Sequence, residues 1–174
     1  MIRFPILATL ALAAALLSGC AETARIGAAA DIRAFLISIR DGDRAAFDAH
    51  VDRPLLKEQI RARLLAAAAR RGAEGGDLAA LGLVLARPLA DSLAESLIQP
   101  DVFRAVAEYY GYRPDAPIPG DLTIASSLRS IDEGHVCVTK GKSGPCVLDF
   151  RNEAGTWRLI GFEGDLPKAP APRP

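Results

Sequence analysis

Gly134-His135-Val136-Cys137-Val138-Thr139 and Cys146-Val147-Leu148-Asp149-Phe150-Arg151 decide the fold class, with Lys140-Gly141-Lys142-Ser143-Gly144-Pro145 between them. Both runs are rich in β-formers, and a Gly- and Pro-bearing turn separates them. Strand side chains alternate between two faces, so register determines what becomes core. Setting Cys137 opposite Cys146 places Val136 opposite Val147. A shifted register pairs Val138 with Leu148 and Val136 with Phe150. That gives the better apolar face but sends the cysteines to opposite sides. A bulge near Gly144-Pro145 reconciles the two requirements. Residues 122–130 and 156–162 also read as strands, with turns at Asp132-Glu133-Gly134 and at 152–155. The C-terminal part is therefore expected to be an antiparallel meander of three to four strands.

Upstream the period changes to that of helices. From Asp31, Ile32, Phe35, Leu36 and Ile39 fall at helical spacing. Gly42 ends this helix, and Asp43 caps a second one carrying Phe47 and Val51 as its apolar stripe. Asp52 caps a third, with Pro54 in the first turn and Leu56, Ile60 and Leu64 along one face. Residues 72–77 read as a flexible break. Residues 78–97 are apolar nearly all round, interrupted at Pro88, so Leu81, Leu85, Leu89 and Leu93 line either core or a pocket wall. Asp101 caps a last helix with Val102, Val106 and Tyr109 on one side. Three prolines make residues 112–120 a loop. Helices first and strands later predict an α+β domain, N-terminal helices packed on the C-terminal sheet.

The chain has 174 residues, with 21 Lys+Arg against 21 Asp+Glu. Such a balance offers no field to attract nucleic acid. The N-terminus has its own logic. Met1-Ile2-Arg3 precedes an apolar run of 14 residues, 4–17, whereas a membrane-spanning helix needs roughly 20. It reads as a removable signal segment. Leu17-Ser18-Gly19-Cys20 closes the run and resembles the lipobox of bacterial lipoproteins. That resemblance implies cleavage before Cys20, acylation of Cys20 and a body facing the periplasm. Ala21, where Asp would signal inner-membrane retention, implies the outer membrane. The organisation expected is a signal peptide at 1–19, a lipidated end and spacer at 20–30, one α+β domain at 31–164 and a disordered Pro-rich tail at 165–174. With Cys20 committed to lipid, Cys137 and Cys146 are an even pair in an oxidising compartment, and a disulfide is expected.

Several blocks resemble a bacterial family known only as domain of unknown function 2939. They are Arg40-Asp41-Gly42-Asp43 leading to Val51-Asp52-Arg53-Pro54-Leu55-Leu56-Lys57-Glu58-Gln59-Ile60, residues 83–97 followed by Pro100, and Leu148-Asp149-Phe150 with Gly155-Thr156-Trp157-Arg158-Leu159 and Leu166-Pro167. This family carries no catalytic residue to transfer. More loosely, the helices and late sheet look like the NTF2-like superfamily, whose sheet curves around a long helix and can enclose an apolar pocket. That scaffold hosts enzymes and binders alike.

Candidate chemistry is sparse. His50, between Asp48 and Asp52, invites a metal or general-base reading, but Asp52 is better used as a cap. His135 sits at a turn-to-strand junction. Gly141-Lys142-Ser143 lacks the spacing and the following helix of a phosphate loop and is read as a hairpin turn. Hydrolase or zinc-protease motifs do not occur. A basic stripe, Lys57, Arg61, Arg63, Arg70 and Arg71, reads as a solvated helix face or a contact for anionic headgroups. The sequence thus points to no enzyme, no cofactor and no metal. It points to a membrane-anchored module that binds an envelope component or, alternatively, a lipid or another small apolar ligand.

Overall fold

Strand pairing follows the apolar alternation, and a bulge recovers the cysteine bond. A computed structural model describes residues 4–72, 88–139, 141 and 144–163. Strand β2 (His135–Thr139) pairs with β3 (Cys146–Glu153) through Val136 opposite Phe150 and Val138 opposite Leu148. The register then slips, and Thr139 faces Cys146. Val147 is the extra residue, and it reverses the alternation of β3 just past Pro145. Cys137 and Cys146 thereby reach one face and form a disulfide with Cα atoms 5.5 Å apart. Strands β1 (Leu128–Asp132) and β4 (Thr156–Phe162) complete an antiparallel sheet in the order β1-β2-β3-β4. The expected α+β class is what the chain adopts.

The inner face of the sheet presents Leu128, Val136, Phe150 and Leu159 to the core. Helix α1 (Phe4–Asp41) lies against it as one 38-residue element. Its core residues include Ala24, Ala28, Ala29, Ile32, Phe35 and Ile39. The segment expected as a spacer, 20–30, is helical, and the packed body begins upstream of residue 31. Gly27 lies at this contact too, where a Cβ would meet the Trp157 indole nitrogen at 3.7 Å, an ordinary contact distance. Four phenylalanines form the centre, with Phe35 stacked on Phe47 at 5.5 Å and edge-on to Phe103 and Phe150.

Gly42 turns the chain with φ +69°, and Asp43 Oδ1 accepts from Ala46 N to cap α2 (Arg44–Ala49). Helix α3 (Arg53–Gly72) begins where Asp52 Oδ1 accepts from Leu55 N. Val51 departs from its expected place on the stripe of α2. It forms a parallel bridge to Leu159, framed by Leu159 N to His50 O and Asp52 N to Leu159 O, both 2.9 Å. Gln59 of α3 continues the cover, donating to Phe162 O and accepting from Phe162 N. The outer edge of β4 is thus occupied, which prevents strand addition there.

Helical residues 88–97 form α4, and α5 (Pro100–Tyr109) follows. Gln99 is the cap of α5, with Pro100 as its first residue, so Asp101 falls inside the first turn instead of at the cap. The expected strand over 122–130 divides. Residues 121–127 form helix α6 (Asp121–Ser127), and only its end enters β1. Helical spacing explains this: Ile124, Ala125 and Leu128 point together into the core. Asp121 lies in the first turn of α6, where a negative charge is favoured.

Candidate functional site

A half-open pocket of about 310 Å³ lies between α1, α6 and the inner face of the sheet. Ile32, Phe35 and Leu36 supply one wall, Ile124 with Pro119 a second, and Val138, Leu148 and Phe150 the floor. Each wall has a local cause. The helical repeat of α1 presents Ile32, Phe35 and Leu36 together. The register of β2 on β3 sets Val138 beside Leu148 on the same face. Thr123 and Ser127 are the polar side chains of the lining. Ser127 Oγ donates to Ile124 O at 2.7 Å, so its hydroxyl is already committed. The volume is at the small end of ligand pockets, which run from about 300 Å³ upward. Among the described residues, no charged side chain lines it.

Leu89 and Leu93, two of the four leucines expected as a pocket wall, do not line the pocket. Leu89 and Leu93 are 62% and 51% exposed, and Leu81 and Leu85 fall outside the described residues. Helix α4 buries Ala90 and Ala94 instead, with Ile98 just beyond it. An all-round apolar sequence cannot reveal which stripe turns inward; ion pairs on the neighbouring face do. Glu95 meets Arg53 at 2.9 Å and Lys57 at 3.4 Å, and Asp91 meets Arg61 at 3.7 Å. These contacts also engage much of the basic stripe. Arg63 lies over the Phe162 ring at 4.5 Å and donates to Phe162 O.

The two histidines stand apart. His50 Nδ1 is 3.4 Å from Trp157 O, while Asp31 Oδ2 accepts from Trp157 N at 2.8 Å. Asp48 is held by Arg53 and Asp52 by its cap, so the carboxylates flanking His50 are used structurally. His135 lies on the outer face of the sheet, with Nε2 3.5 Å from Asp149 Oδ1. On that face Arg129, Cys137 and Asp149 stand in one row across three strands. Among the described residues, the group able to hold a metal is Cys137, Cys146 and Asp149, yet both sulfurs are tied in the disulfide. Lys142 and Ser143 of the expected hairpin turn fall outside the described residues. From residue 23 onward, no described helix is long and apolar enough to cross a membrane.

A family model described as a protein of unknown function (DUF2939) matches residues 10–106, more than half of the chain. The match spans the helices through most of α5 and ends before the sheet. No curated protein and no solved structure matches the chain.

Proposed function

The chain belongs to the DUF2939 family of proteins of unknown function, and from that premise we propose that it is a lipid-anchored envelope module that binds a small apolar ligand. The observation that carries this reading is the pocket between α1, α6 and the sheet, about 310 Å³ and lined by apolar side chains. Apolar ligands gain roughly 25 cal/mol per Å² of surface removed from water and need no convergent polar groups. An acyl chain or another slim hydrocarbon matches such a lining. A charged or hydroxyl-rich ligand would leave its polar groups unpaired there.

Anchoring is supported by the order of the N-terminal signals. A charged start, an apolar run and Leu17-Ser18-Gly19-Cys20 succeed one another. Two or three acyl chains hold a protein stably at a bilayer, whereas one holds it marginally. Ala21 supports the outer membrane as the destination. A long helix over an antiparallel meander, with a pocket between, is compatible with what the NTF2-like resemblance implies.

Native mass spectrometry of protein extracted in mild detergent tests the ligand. A bound hydrocarbon-bearing mass is expected, and Thr123→Phe should displace it by filling the pocket while thermal stability stays near that of the parent. A clean apo mass in lipid-preserving conditions, together with no displacement of a fluorescent fatty acid, sinks the reading. Cys20→Ser should abolish labelling by palmitate and release the protein from the membrane fraction.

A further inference from the structure

The disulfide on the outer face of the sheet has two unequal sulfurs. Cys137 is fully buried, whereas Cys146 is partly exposed at the start of β3. Arg129 Nη2 donates to Cys146 Sγ at 2.8 Å. Asp149, the cross-strand neighbour of Cys137, places a carboxylate oxygen within 4.8 Å of both sulfurs. His135 Nε2 stands 3.5 Å from that carboxylate and makes no hydrogen bond among the described residues. A cross-link serving stability alone needs neither a cation against one sulfur nor a carboxylate, backed by an imidazole, near the pair.

We propose that the Cys137–Cys146 disulfide is an exchange site for thiols, with Cys146 as the exchanging sulfur and Cys137 as the resolving one. A guest thiolate attacks Sγ of Cys146, the partly exposed cysteine of the pair. The new S–S bond forms as the Cys137–Cys146 bond breaks, and its electron pair leaves on Cys137 Sγ. The proton given up by the guest thiol ends on Cys137, with Asp149 near both sulfurs, and His135 behind that carboxylate, to pass the proton. In the reverse step the Cys137 thiolate attacks Cys146 and expels the guest. A guest with a second thiol has another course: that thiol attacks the guest sulfur, and Cys146 leaves as a thiolate beside Arg129. The guest dithiol has then lost two electrons and two protons; the cysteine pair has gained the electrons, Cys137 has taken one proton, and the other goes to solvent while Cys146 remains a thiolate. A neighbouring cation favours the thiolate, so Arg129 makes Cys146 the better leaving group. This site lies on the face opposite the apolar pocket and does not depend on it.

The test uses the full chain, reduced with dithiothreitol and alkylated with iodoacetamide across pH, each cysteine being followed by peptide mass. Cys146 should react with a midpoint below the ordinary thiol value of about 8.5. A drop of one unit would make its thiolate roughly 8-fold more abundant at pH 7. Arg129→Ala should raise the midpoint, and Arg129→Lys should restore most of the effect. In Cys137→Ser, glutathione disulfide should leave an adduct on Cys146; in Cys146→Ser, the buried Cys137 should take none. The oxidised chain should also exchange with excess glutathione or with a reduced, unfolded protein, and the faster of these identifies the guest class. A native disulfide that resists both guests overturns the proposal, as does a Cys146 midpoint indifferent to Arg129→Ala.

Discussion

Ala154 is the residue where local conformation and side chain disagree most plainly. Glu153 pairs with Thr156, so residues 154 and 155 alone turn the β3–β4 hairpin, with φ of +51° and +91°. Two consecutive positive φ values define the turn whose twist matches that of the strands. Gly155 meets this freely; Ala154 does so against its Cβ. Ala154→Gly should raise stability by about 0.5–1 kcal/mol, seen as a higher urea midpoint with an unchanged slope. Asp31 presents the opposite case. Its partly buried carboxylate holds Trp157 N across the core, and Asp31→Ala should cost about 1–3 kcal/mol by leaving that donor unpaired. Nothing near Asp31 in sequence announces this bond, because its partner is 126 residues away. Asp41 and Asp115 are held below the usual carboxylate range by hydrogen bonds from Arg40 and Arg113. Depressed values stabilise the fold above the unfolded-state pKa, and that contribution is lost as pH falls through the folded value. Both groups are exposed, so an NMR titration in 1 M salt should move both midpoints back upward.

At the scale of elements, period and punctuation carried much of the reading. The caps at Asp43 and Asp52, the turn at Gly42 and the alternation of Val136, Val138, Leu148 and Phe150 act within a few residues, so they are visible before folding. A bulge near Gly144-Pro145 was legible as the way to reconcile apolar register with cysteine pairing, and the extra residue is Val147, just beyond that turn. The pocket was not legible. Its walls come from α1, α6 and two strands, and α6 itself hid within an apparent strand, since Ile124 and Leu128 fit either period while Leu122, which fits only the strand, is exposed. The apolar run ending in α4 drew attention because of its composition, although Leu89 and Leu93 face outward. The bulge also bears on stability. Replacing both Cys137 and Cys146 by Ser opens a loop of nine-residue separation and should cost about 2–3 kcal/mol. Denaturation with and without reductant measures it: the parent should lose this amount on reduction, while the double variant should not respond.

For the whole molecule, the burial of Ala24 sets a limit that the lipobox alone does not. Ala24 is 7% exposed and belongs to the same core as Phe35 and Leu159. The chain between the proposed acylated Cys20 and the first core residue is therefore only residues 21–23. Even pulled fully straight, the span from Cys20 to Ala24 would reach no more than ~14 Å. As the helix it forms, it covers about 6 Å. On the proposed anchoring, a leash so short would allow no excursion: the domain could not cross the periplasm, reach the opposite membrane or probe the cell wall at a distance. Whatever it met, it would meet at the surface of the bilayer to which Cys20 is proposed to tie it.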